Sequence, residues 1–148
     1  MLAIKVKYFK ELTKQELYSI LQLRSEVFVV EQDCVYQEID GKDQNTLHVL
    51  GLKNETLVAY TRVFRAGDYF KHSSISRVVV SKEERQHKYG YEIMNTSIRA
   101  IKNVFNETTI ILSAQVYLKK FYNNLEFYEV GKEYLEDGIP HIEMIKEK

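Results

Sequence analysis

The sequence predicts a single mixed α/β domain organised around a strand–loop–helix unit suited to holding an anion. Three observations carry that reading. Strand-patterned and helix-patterned segments interleave along the chain instead of separating into blocks. The β-branched stretch Ile75–Val80 runs into a basic loop containing Arg85 and Lys88, and Gly90 then opens a helix-patterned run. The length of 148 residues, 45% of them hydrophobic, suits one domain (1–148) with one core.

Taken in order, Ala3–Tyr8 alternates as a first strand. Thr13 with Glu16 three residues on forms a capping box, starting a helix expected to bury Leu17, Ile20, Leu21 and Phe28. From Glu31 to Thr46 no period is sustained, and a loop or broken helix is expected. Leu47–Leu52 and Leu57–Phe64 read as strands joined by a hairpin turn at Asn54-Glu55. Ile75–Val80 is the next strand. Met94, Ile98, Ile101 and Phe105 then recur at helical spacing. Thr108–Leu112 is apolar and β-rich, as a central strand should be. Tyr117, Leu118, Phe121, Tyr122 and Leu125 mark a last helix, followed by strands Phe127–Tyr134 and Ile139–Ile145 around Asp137-Gly138. There is no repeat or linker.

Composition removes several function classes. Twenty-one basic residues balance twenty-one acidic ones, which argues against a surface that coats nucleic acid. No apolar run is long enough to cross a bilayer, and no secretory signal is apparent. The lone Cys34 excludes an internal disulfide. A cytoplasmic protein with no membrane or nucleic-acid partner is expected. The four histidines are scattered and no cysteines cluster, so no metal site is expected. The Gly-x-x-x-x-Gly-Lys-Ser/Thr loop of nucleotide phosphate binders is missing.

The loop after Val80 carries the chemistry. Backbone N–H groups at a helix start lack partners within the helix, and its dipole favours anions. Arg85 and Lys88 add positive charge, and Gly90, without a Cβ, allows close approach. A pyrophosphate fits such a unit.

Arg85-Gln86-His87-Lys88-Tyr89-Gly90 resembles the acetyl-coenzyme A motif of the GNAT acetyltransferase superfamily, Arg/Gln-x-x-Gly-x-Gly/Ala. Lys88 stands where the first glycine is usual; a lysine resists positive φ, yet its ammonium adds a cation for phosphate. A second block is similar to the family's Asn-x-x-Ala-x-x-x-Tyr followed by Gly-Phe. Here Gln115, Leu118, Tyr122 and Glu126-Phe127 stand at those places. A third resembles the ElaA-like branch: Arg24-x-x-Val27-Phe28-x-x-Glu31-Gln32, then Asp40-x-x-Asp43 and His48. Ile75-Ser76-Arg77-Val78 and the stretch from Gly138 to Met144 look like that branch too.

The resemblance implies the GNAT fold: a twisted mixed sheet with two splayed parallel strands, flanked by helices on both faces. It implies acetyl-CoA as the co-substrate, its pantetheine arm against the backbone of Val78 and Val80 and its pyrophosphate on amides from Gln86 through His87, Lys88, Tyr89 and Gly90 to Tyr91. Gln115 would line the same cleft. A backbone N–H near Val79 or Val80 would face the oxyanion, and Tyr122 would protonate the leaving thiolate. His141 is the first candidate for the base, with Glu31 and His48 behind it. Arg24, Arg62, Arg65 and Arg77 read most simply as ion-pair or backbone partners, although Arg24 heads the ElaA-like block and is also a candidate for the acceptor cleft. The acidic stretch Glu31–Asp43 would attract a cationic acceptor. The implied activity is transfer of an acetyl group to a primary amine of a small molecule or peptide by direct attack in a ternary complex. The alternative is a non-catalytic acyl-CoA-binding or sensing module. Monomer and homodimer both stay open.

Overall fold

The computed structural model describes residues 1–147. Seven strands form one sheet in the order β1-β2-β3-β4-β5-β7-β6. They are β1 (Ala3–Tyr8), β2 (Leu47–Lys53), β3 (Thr56–Phe64), β4 (Ser73–Val80), β5 (Ile110–Gln115), β6 (Tyr128–Glu136) and β7 (Ile139–Lys146). Only β4 and β5 run parallel. Short turns join two of the antiparallel pairs, β2 to β3 and β6 to β7. Asn54 and Glu55 both adopt positive φ, as do Asp137 and Gly138, and two left-handed residues in succession give the turn whose twist matches paired strands.

Helices cover both faces, as the resemblance implies. The first, α1 (Lys14–Arg24), starts where Thr13 Oγ1 accepts from the Glu16 amide at 3.0 Å and the Glu16 carboxylate accepts from the Thr13 amide at 2.9 Å. It continues through a π-helical turn over Ser25–Glu31, ending where the helical pattern of the sequence gives out. Its buried face is Ile20, Leu23, Arg24 and Val27, whereas Leu17, Leu21 and Phe28 are half-buried. Ile20, Leu23 and Val27 pack with Leu50, Tyr60 and Val79. On the opposite face, α2 (Tyr89–Phe105) and the short α3 (Lys119–Asn123) build the larger core, with Ile93, Met94, Ile101 and Tyr122 buried against Val49, Ile75 and Ile110. Met94 and Ile101 are fully enclosed, while Ile98 and Phe105 pack at the margin. β5 begins at Ile110, two residues later than expected.

Two irregularities shape the sheet. β4 pairs with β5 only at Ser73–Ile110 and Ser74–Ile111, and beyond that level the strands part. On its other side the β3–β4 register slips between Tyr60 and Arg62, next to Arg77, whose φ of +54° lies in the left-handed region. An extra residue at such a bulge bends the strand, and here the bend carries β4 away from β5. The second irregularity lies in β6, an edge strand exposed at every residue, where the register to β7 slips between Val130 and Tyr134 around a left-handed Gly131.

Candidate active site

The parted ends of β4 and β5 expose backbone groups that a regular sheet would consume. Tyr60 lies opposite Val79 and Ala59 opposite Val80, and the Ser81 amide donates to the Val58 carbonyl at 2.8 Å. Hydrogen-bonded and non-hydrogen-bonded pairs alternate along an antiparallel ladder, so Val79 exchanges its bonds with Tyr60. The N–H and C=O of Val80 therefore point away from β3, toward the gap. This corrects one expectation: the Val79 amide is engaged by the sheet, and Val80 is the residue left to offer an N–H. The Val79 side chain also points to the α1 face, whereas Val78 and Val80 pack toward α2.

The loop after β4 forms a 3-10 turn over Lys82–His87 and then passes into α2 through Lys88. Lys88 takes φ +62°, the left-handed conformation a glycine would adopt more cheaply. For a lysine this costs about 1–2 kcal/mol, and the loop accepts it. No side chain caps the start of α2; the Tyr91 amide, expected to face the pyrophosphate, instead donates to the Lys88 carbonyl at 3.1 Å, and the amides of Tyr89 and Gly90 are left for solvent or a ligand. Gln86, His87 and Lys88 are exposed, and Tyr89 is buried with its ring 5.2 Å from that of His87. A groove of about 670 Å³ starts beside Lys88 and Tyr91 and follows α2 past Arg99 and Lys102.

Two residues of the loop make contacts that the sequence pattern does not show. A Cβ at Gly90 would come within 3.1 and 3.2 Å of the Phe121 ring, so a larger residue there would press on that ring where α2 meets α3. Arg85 is not a free cation. Its guanidinium grips the Glu31 carboxylate with two bonds of 2.5 and 2.8 Å, and its Nε donates to the Val80 carbonyl at 3.1 Å. The pairing holds Glu31 below the ordinary glutamate range and Arg85 above its own.

Beyond the end of β5, Tyr122 is buried among Phe121 and Phe127, meeting both rings edge-on. Burial pushes its phenol well above the usual tyrosine value, with Tyr117 adding to the effect, so it keeps its proton at any working pH. Tyr117 itself is exposed and was not singled out for a role in the sequence. His141 lies opposite Gln115 in the β5–β7 ladder. Its Nδ1 is 2.7 Å from the Ile139 carbonyl, which requires the hydrogen on Nδ1 and leaves the lone pair of the neutral ring on Nε2. Nε2 faces the Glu136 carboxylate at 3.7 Å. The ring stacks on Tyr134, whose hydroxyl bonds to Ser113.

Three further contacts stitch the segment after α1 across this end of the sheet. Glu31 holds Arg85, the Gln115 side-chain amide donates to Gln32 Oε1 at 3.2 Å, and the Cys34 thiol reaches the Asp137 carbonyl at 3.4 Å. Arg85, Glu31, Val80, Gln115 and His141 thus share one end of the molecule.

Arg24 and His48 do not join them. Both are 0% exposed, a burial incompatible with contacting an acceptor. Arg24 donates to Glu38 and Asp43, each at 2.9 Å. Arg62 grips Asp40 and Asp43, and Arg77 binds Glu38 at 2.6 Å and Asp40 at 3.3 Å. Three arginines therefore neutralise three carboxylates. With Glu31 also paired, the acidic stretch presents little free charge, and the expected field for a cationic acceptor is largely cancelled. His48 is fixed by the Tyr60 hydroxyl at 2.6 Å and the Asp43 carbonyl at 2.9 Å, and burial lowers its pKa. The ion-pair reading of Arg62 and Arg77 agrees with this geometry. Among the described residues no cluster of His, Cys, Asp and Glu is suited to a metal, and no helix is long and apolar enough to cross a membrane.

Parallel strands that part after two paired residues, the first leading through a loop into a long helix, are the architecture of an acyltransferase fold. Residues 9–148 match the sequence profile of the Acetyltransferase (GNAT) domain, and the chain belongs to the GNAT acetyltransferase family. It is similar to Protein ElaA of Escherichia coli K12, 42% identical over 95% of this chain and 93% of that protein. The crystal structure of Escherichia coli ElaA superposes with a TM-score of 0.92, covering 99% of this chain and 100% of the other. An acyl-CoA N-acyltransferase from Pseudomonas aeruginosa is 39% identical, with a TM-score of 0.93 over 99% of both chains.

Proposed function

We propose that this protein is a cytoplasmic acetyl-CoA-dependent N-acetyltransferase that acylates a primary amine of a small molecule or peptide. The observation that carries the reading is the parting of β4 from β5 beyond Ser74 and Ile111, with Val80 turned into the gap. The amides from Gln86 to Gly90 hold the pyrophosphate, with Lys88 supplying charge, and Val78 and Val80 hold the pantetheine arm. When bound, the thioester supplies an activated acyl carbonyl between the two strands.

The Val80 N–H is the donor that an oxyanion developing there needs. Tyr122, kept protonated by burial, supports the departing sulfur and returns a proton to it. An alkyl amine has a pKa of about 10.4 and is almost wholly protonated at neutral pH, so the acceptor must lose a proton before attack. His141 Nε2 is the group we assign to receive it. The carbon–nitrogen bond forms, the carbon–sulfur bond breaks, and amide and free thiol leave. Holding both substrates in line removes much of the entropic barrier, with no covalent enzyme intermediate.

The test is thiol release from acetyl-CoA across a panel of polyamines, amino acids and peptides. Turnover with one class and its collapse in Tyr122→Phe, with acetyl-CoA affinity kept, is the expected result. One observation favours a second reading. Arg85 is already neutralised by Glu31 and occupies the Val80 carbonyl, an arrangement that suits a non-catalytic acyl-CoA sensor whose loop responds to the ligand. That reading predicts acetyl-CoA binding with no thiol release from any amine.

A further inference from the structure

We propose that Gln32 limits the length of the acyl group this cleft accepts, by closing the gap between β4 and β5 on the face opposite α2. The inference rests on the acyl-CoA reading above and deepens it. Consecutive residues bridge the two arms of the gap: Glu31 is bound to Arg85, itself anchored on Val80 at the end of β4, and Gln32 is bound to Gln115 at the end of β5. Asp33 then turns the chain with φ +49°, and the Cys34 contact to Asp137 ties the same segment to the β6–β7 turn. The strap is thus fastened to three separate elements at the widest part of the gap.

Its position relative to the donor follows from the two faces. The segment continues α1, which packs on the Val79 face, whereas the phosphate loop leads into α2 on the other. An acyl group entering from the α2 side extends into the gap toward the strap. A two-carbon group stops short of it. A longer chain continues into the two facing amides of Gln32 and Gln115, and displacing them leaves half-buried polar groups without partners. The bridge is neutral and made by a single hydrogen bond, so one substitution opens it, whereas Glu31 makes two charged bonds to Arg85.

The test is titration calorimetry of the full chain with coenzyme A, acetyl-CoA and hexanoyl-CoA, for the wild type, Gln32→Ala and Gln32→Leu. Wild type is expected to bind hexanoyl-CoA at least tenfold more weakly than acetyl-CoA. Gln32→Ala should narrow that ratio to within threefold while leaving affinity for coenzyme A itself unchanged, a pattern that general loosening of the fold does not produce. Gln32→Leu keeps most of the bulk without the amide; a ratio near wild type assigns the closure to bulk, a narrowed one to the hydrogen bond, and each supports the proposal. Equal binding of the two acyl donors by wild type, or a ratio unmoved in Gln32→Ala, overturns it. Absence of coenzyme A binding in all three proteins overturns the acyl-CoA reading itself.

Discussion

Two arginine–carboxylate assemblies stand a short way apart and behave as different materials. Beneath the loop that follows α1, Arg24, Arg62 and Arg77 interlock with Glu38, Asp40 and Asp43, the arginine side chains 0, 1 and 18% exposed. At the cleft, Arg85 and Glu31 form one bidentate pair with side chains 42 and 29% exposed. The bonding is the same and the surroundings decide its worth. A buried charge that loses its partner stays desolvated, whereas an exposed one is taken up by water. The interior assembly therefore holds the frame, including the bulge at Arg77 that opens the gap. The surface pair is free to exchange partners when an anion arrives.

Asp43→Ala should break this contrast most visibly. It takes the shared carboxylate from Arg24 and Arg62, leaving Arg24 only Glu38 and Arg62 only Asp40, and about 3–5 kcal/mol of stability should disappear in urea or thermal melts, as when buried charges lose a partner. Gly90→Val provides a comparison without charge: crowding against Phe121 should cost about 1–3 kcal/mol. Because Phe121 precedes Tyr122, thiol release should fall with it, more steeply than acetyl-CoA affinity. Unchanged stability in that variant would show that α2 and α3 do not depend on the close approach.

Lowering the pH separates the interior groups. His48 is held below its ordinary value by burial and by Arg24 and Arg62, so the folded protein resists a proton that the unfolded chain accepts near pH 6.5. Its contribution is complete above that pH and drains as the pH falls below it, at no more than about 1.4 kcal/mol per pH unit. Asp40 is depressed to about 2, because the bonds and charge of Arg62 outweigh burial, and Asp43 is lowered by Arg24 and Arg62 against the same opposition. Their contribution is present above about pH 4 and is lost as the pH falls through the folded values. Stability melts run from pH 7 to 2 should show both losses, and His48→Gln should flatten only the upper one.

The smallest effect belongs to the surface pair. Glu31→Gln should change stability by less than about 1 kcal/mol, yet acetyl-CoA should bind more tightly, since Arg85 is released to the phosphates. Weaker binding in calorimetry would mean that Arg85 must be held by Glu31 in order to serve the loop.

What the sequence revealed and what it hid follow from the range of the forces involved. The hairpins at Asn54-Glu55 and Asp137-Gly138, the capping box at Thr13 and the α2 stripe are local, and each was readable from neighbouring residues. The blocks around Arg85, Gln115 and Arg24 carried the family in correct order. The partners of Arg24, 14 and 19 residues away, and the tie between Arg85 and Glu31 across 54 residues depend on the chain folding back. No periodicity marks such pairs. Beyond Arg24 the π-helical turn places Val27, and not Phe28, on the buried face, and the apolar pattern does not reveal that change of pitch. At Gly90 the ring that crowds the position, Phe121, lies 31 positions later, beyond the reach of any local pattern.

The outermost strand has a consequence for the molecule's life at high concentration. A naked row of amides and carbonyls along β6 invites a neighbouring chain to stack upon it. Glu129, Lys132, Glu133 and Glu136 punctuate that row with charge, and the kink at Gly131 spoils its flatness, two devices by which natural sheets discourage fibrils. The protein can thus leave a long border open to solvent without that border becoming a template for aggregation.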